Sequence, residues 1–121
     1  MALTPQIETF LSARIDSVET LEILLLLARG KALWSPEDIA ETLGLERDVT
    51  AERLAALESA RLVSRESGGC RFSPADPAVR TLVADLAREY AEHRANVINV
   101  IYSANLERLR QFAEAFRLRK K

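Results

Sequence analysis

Apolar residues recur at helical spacing through most of the chain, and the gaps between the runs fall at capping residues. Pro5 opens a short amphipathic segment with Ile7, Phe10, Leu11 and Ile15 on one side. Asp16-Ser17-Val18-Glu19 has the form of a capping box, with Asp16 as the expected N-cap and Glu19 at the third helical position. The helix behind it carries Leu21, Leu24, Leu25 and Ala28 and stops before Gly30. Ser35-Pro36 starts the next helix, since a serine caps free amides and a proline fits the first helical position, where no N–H is needed. Trp34 precedes that cap and is placed to staple onto Ile39. The helix ends at Leu43-Gly44, and a third runs from near Glu46 to about Ala60 with Thr50, Leu54 and Leu57 on its inner face. Leu62–Arg65 and Cys70–Ser73 alternate around Glu66-Ser67-Gly68-Gly69, the pattern of a small β-hairpin.

Asp76-Pro77 is another cap with a first-position proline, and the helical pattern behind it continues to about Ser103. Val79, Val83, Leu86, Tyr90, His93, Val97 and Val100 follow one another at intervals of 4, 3, 4, 3, 4 and 3, a heptad stripe. Such a stripe predicts a seam between two copies of the chain; the alternative is a helix that covers the N-terminal segment of its own chain. Asn105 is the expected cap of a final helix, with Leu106, Leu109, Phe112, Ala113 and Phe116 on one side and arginines on the other, ending near Arg119.

The composition supports this reading: Ala and Leu number 18 each, against 4 Gly and 4 Pro, so the expected class is mostly α with a small β-hairpin. One cysteine excludes a disulfide framework, and with a single histidine no metal site or cofactor is expected. No Gly-rich phosphate loop or nucleophile–histidine–acid set is present, so the expectation is a non-enzyme. The longest apolar run, Ile23–Ala28, is far short of the ~18–20 residues of a membrane span. The N-terminus lacks the basic and apolar regions of a signal peptide. Both observations predict a cytoplasmic chain without membrane partners. The net charge is −1, but residues 105–121 sum to +4, so a basic tail follows an acidic body.

The segment Ile39-Ala40-Glu41-Thr42-Leu43-Gly44-Leu45 carries the functional argument. Two helices that cross through a short turn need a small residue at the contact and one tolerant of positive φ in the turn, and Ala40 and Gly44 fill those roles. With Leu54–Val63 running into the hairpin, residues 17–75 resemble the winged helix-turn-helix transcriptional regulators, most like the small MarR-type bacterial ones. Two positions depart from the family pattern: Thr50, where an apolar residue is usual, and Arg61, where glycine is usual.

The resemblance implies that the helix after the turn enters the major groove. Arg47, Asp48, Ala51, Glu52 and Ala55 then face the DNA: Arg47 for guanine or phosphate, Ala51 and Ala55 beside thymine methyls, Glu52 accepting from cytosine N4. Arg65 and Arg71 fall on the wing, which in this family tracks backbone or minor groove. The expectation is a single domain over 1–121, made of a winged-helix part (1–75) and dimerisation helices (76–121). It would act as a homodimeric, sequence-specific regulator on double-stranded DNA. A second reading stays open, because residues 46–60 hold Glu46, Asp48, Glu52 and Glu58 against Arg47 and Arg53. It is a winged-helix module that binds another protein and no DNA.

Overall fold

The computed structural model describes residues 3–30 and 33–119; Lys120 and Lys121 of the basic tail lie outside them. In chain order the elements are α1 (Pro5–Arg14), α2 (Val18–Ala28), α3 (Pro36–Leu43), α4 (Arg47–Ser59), β1 (Val63–Glu66), β2 (Gly69–Phe72), α5 (Ala78–Glu92) and α6 (Arg94–Arg119). The class is mostly helical with one antiparallel hairpin, as expected.

A helix that is apolar on every side belongs in the middle of a fold. Helix α2 comes close to this, with Leu21, Ile23 and Leu24 fully enclosed, Leu25, Leu26 and Leu27 nearly so, and Glu19 and Glu22 half-buried in its first half. It packs on α3, α4, α5 and β2, while α1 lies on α5 and α6. Its start differs by one residue from the capping-box reading. Ser17, not Asp16, is the N-cap: its Oγ accepts from the Thr20 amide at 3.1 Å. Asp16 serves one step removed, accepting from the buried Thr20 hydroxyl at 2.8 Å.

The signals around α3 hold. Ser35 Oγ accepts from the Asp38 amide at 3.1 Å, and Gly44 closes α3 at φ 67°, where a side chain would be strained. The start of α5 differs by one residue: the helix begins at Ala78, so Pro77 and not Asp76 is its N-cap, and Asp76 Oδ1 accepts from the Ala78 amide at 3.0 Å from one step outside. The hairpin turns more tightly than expected, on Ser67-Gly68, with Val63 facing Phe72 and Glu66 facing Gly69. Its β2 also pairs with Trp34: the Trp34 amide donates to Cys70 O at 2.8 Å and the Cys70 amide to Trp34 O at 2.7 Å.

The C-terminal half departs most from the sequence pattern. The expected continuous helix from Asp76 to Ser103 breaks at His93, whose backbone leaves the helical region (φ −135°, ψ 53°) after its amide bonds to Glu89 O. From Arg94 the chain runs as one helix to Arg119, so Asn105 caps nothing; its side chain donates instead to Asp16 O at 2.9 Å. A straight helix can lay only one stripe on a core, whereas two shorter helices fold against each other and both reach it.

The predicted heptad seam is therefore not a surface. Val79, Val83, Leu86 and Val97 are buried in the chain's own core, Tyr90 and Val100 pack half-buried at its edge, and His93 sits at the break. Burial within one chain takes Val79, Val83, Leu86 and Val97 out of the contact with a second copy that the uninterrupted stripe predicted, and the break at His93 interrupts the stripe itself.

Candidate functional site

Helix α4 is held by three side chains. Leu54 and Leu57 are fully buried, and Thr50 joins them because its hydroxyl is satisfied by donating to Glu46 O at 2.9 Å. That local bond lets a polar residue stand at a buried position of the helix. With the inner face fixed, Arg47, Asp48, Ala51, Glu52 and Ala55 all face solvent, as the sequence predicts. The two alanines leave a low strip between the charged side chains. Arg53 lies half-buried, its Nε enclosed without a hydrogen-bond partner among the described residues.

The hairpin is attached to the far end of α4. There the helix closes through paired bonds, Arg61 N to Glu58 O and Leu62 N to Leu57 O, each 3.0 Å. This leaves Arg61 in the left-handed region at φ 62°. The chain then enters β1.

The two arginines expected to track phosphate are both paired. Arg65 Nε lies 3.3 Å from Glu58 Oε1, and Arg71 Nε lies 3.1 Å from Glu66 Oε2, all four side chains being largely exposed. The register also separates them. Arg65 is opposite the buried Cys70, on the core-facing side, while Arg71 is opposite Ser64 on the other. The structure thus brings Arg65 to α4 but does not gather Arg65 and Arg71 into one patch.

Two cations escaped the sequence reading. Arg61 is exposed at the junction of α4 and the hairpin, and Arg80 of α5 stands 5.3 Å over the Phe72 ring of β2. Nothing local in the sequence links Arg80 to the hairpin; only folding does. With them, the hairpin and its margins hold four arginines against three carboxylates, Glu58, Glu66 and Asp76. The α3–α4 side is acidic by contrast, exposing Glu37, Asp38, Glu41, Glu46, Asp48 and Glu52.

Cys70 is enclosed, and burial pushes its thiol up from the ordinary value, with Arg65 opposing that rise. A thiol kept protonated and covered is a packing group, not a reactive one. Among the described residues there is no group of three metal-ligating side chains, and no helix is long and apolar enough to cross a membrane. A shallow groove beside α1 is lined by Pro5, Thr9, Phe10, Ala13, Arg14 and Val79 and is open to solvent. No protein-family model matches the sequence, and no curated protein does.

Proposed function

We propose that the chain is a winged-helix regulator that binds double-stranded DNA as a homodimer, with α4 as the recognition helix and the β1–β2 hairpin as the wing. The observation that carries this is the outer face of α4. Arg47, Ala51 and Ala55 are exposed on a helix locked from behind by Thr50, Leu54 and Leu57. Small residues allow base edges to approach, and Arg47 offers a bidentate donor.

The paired wing arginines do not oppose the reading. An exposed ion pair is worth about 0–1 kcal/mol, so exchanging a carboxylate for a phosphate is cheap. Such binding is chemistry-free and fits a cytoplasmic chain.

Selection of genomic fragments by the purified protein tests the reading. Enrichment of a palindromic site, with affinity falling steeply as salt rises, is the expected outcome. Arg47→Ala should weaken that site by roughly 1–3 kcal/mol and relax preference at one position per half-site. Equal affinity in that variant removes α4 from the interface.

A second reading is favoured by one observation, the row of exposed carboxylates on α3 and α4. Phosphate repels such a face, whereas a basic protein surface would be attracted to it. It predicts no duplex enrichment at low salt.

A further inference from the structure

The exposed apolar surface of the molecule is concentrated on the second half of α6. Tyr102, Leu106, Leu109, Phe112 and Phe116 are 53–69 % exposed. With Ala113, four of them form a stripe, Tyr102, Leu106, Leu109, Ala113 and Phe116, at intervals of 4, 3, 4 and 3. Phe112 flanks it and stacks on Phe116 at 6.5 Å. Two bonds tether the neighbouring side of the helix to the rest of the chain: Asn105 donates to Asp16 O, and Arg108 to Ser12 O. At 100° per residue Arg108 stands about a third of a turn from the centre of the stripe and Asn105 about a sixth, both on the same side, and the stripe residues remain exposed.

We infer that this half of α6 pairs antiparallel with the same segment of a second copy, in a register centred on Phe112. The charges select the partner and the direction. Glu107 and Arg117 lie five residues either side of Phe112, and Arg110 and Glu114 lie two either side. All four fall on one flank of the stripe, given 100° per residue. In an antiparallel pair that flank meets its own copy, so Arg110 faces the partner's Glu114 and Glu107 faces the partner's Arg117. In a parallel pair the flank meets the opposite one, and these charges never meet. The same register seats Phe116 between the partner's Leu106 and the partner's Leu109.

The area is adequate. Tyr102 meets none of the partner's described residues in this register, so Leu106, Leu109, Phe112 and Phe116 carry the contact. At roughly 150–250 Å² per aromatic side chain and somewhat less per leucine, they offer about 500 Å² per copy. The pair then buries roughly 1,000 Å², the least a specific interface needs. Arg110 at present pairs with Glu107 of its own helix at 2.8 Å, an exposed contact that exchanges at little cost.

The inference rests on the two-copy reading above and adds where the copies meet; it needs no DNA. Sedimentation equilibrium of the full chain tests it, with circular dichroism and thermal melting to verify that each variant folds. The wild type should dimerise with a melt that shifts with concentration, and Leu109→Asp should weaken the dimer more than 100-fold while its circular dichroism and cooperative melt still report a folded chain. Arg110→Glu should weaken it roughly tenfold through two like-charge contacts, and adding Glu114→Arg should restore it. A monomeric wild type overturns both this inference and the two-copy reading. A dimer indifferent to Leu109→Asp overturns only the placement on α6. Failure of the double exchange to restore affinity overturns the register.

Discussion

Arg61 occupies the position that closes α4, with φ at 62° and its amide bonded to Glu58 O. A side chain in that region costs about 1–2 kcal/mol, and glycine avoids most of it. Arg61→Gly should therefore stabilise the fold by about 0.5–1 kcal/mol once the extra freedom of glycine in the unfolded chain is subtracted. The urea midpoint measures this, and an unchanged or lower midpoint would show that the residue carries no strain. The resemblance places glycine here; the retained arginine keeps a cation at the edge of the hairpin. Gly69 is the opposite case. A Cβ there would sit 2.3 Å from Trp34 O, which no L side chain tolerates. Gly69→Ala should force Trp34 off β2 and lose both backbone bonds to Cys70, a destabilisation of about 2 kcal/mol. Amide exchange at Cys70 should accelerate with it.

Elements were legible where their signals are local. The Ser35 cap, the Gly44 turn, the inner face of α4 and the hairpin follow from interactions within a few residues, so the sequence alone places them, whereas the caps read at Asp16 and Asp76 fall one residue early and Asn105 caps nothing. The break between α5 and α6 has no such signal: His93 is neither glycine nor proline, and the heptad intervals run through it undisturbed. The contacts that span the break come from a residue distant in sequence. Tyr90 Oη donates to Glu22 Oε2 at 2.9 Å, Arg94 donates to the same oxygen at 3.2 Å, and the Arg94 guanidinium lies 5.0 Å over the Tyr90 ring. This cluster ties both sides of the break to α2. The same limit applied to the site, where the Arg80–Phe72 contact and the pairing of Arg65 with Glu58 exist only after folding.

The cluster has a pH signature. Burial, then the bond and charge of Glu22, push the Tyr90 phenol up from 10.0 to about 12. A group with a raised native pKa stabilises the fold fully below its unfolded value and loses that contribution as pH rises through the native one. Stability should fall between about pH 10 and 12, and a Tyr90→Phe protein should lack that descent while being weaker by about 1 kcal/mol at neutral pH. Urea midpoints across that range, for both proteins, decide it; parallel descents would detach Tyr90 from the break.

Across the whole molecule the charges divide into an acidic α3–α4 side and a net-basic hairpin margin, and the proposed DNA binding has to reconcile the two. On that proposal, phosphate contacts at the hairpin would supply affinity without sequence preference. Carboxylates on α4 oppose approach to any duplex, except where an acceptor is wanted, as Glu52 opposite a cytosine N4 would be. On this view Asp48 and Glu52 work by rejection, lowering affinity for wrong sites more than for the right one. Asp48→Asn with Glu52→Gln should then raise affinity for random duplex by roughly tenfold and narrow the gap to the selected site. Arg65→Gln with Arg71→Gln should weaken both alike and flatten the salt dependence, since each lost phosphate contact removes about 0.9 from the log–log slope. Fluorescence anisotropy on selected and random duplexes, over a salt series, separates the two effects. If the acidic-to-amide variant gains nothing on either duplex, α4 does not approach DNA. Its carboxylates then belong to a contact with a basic protein surface, and the same variant should weaken that contact.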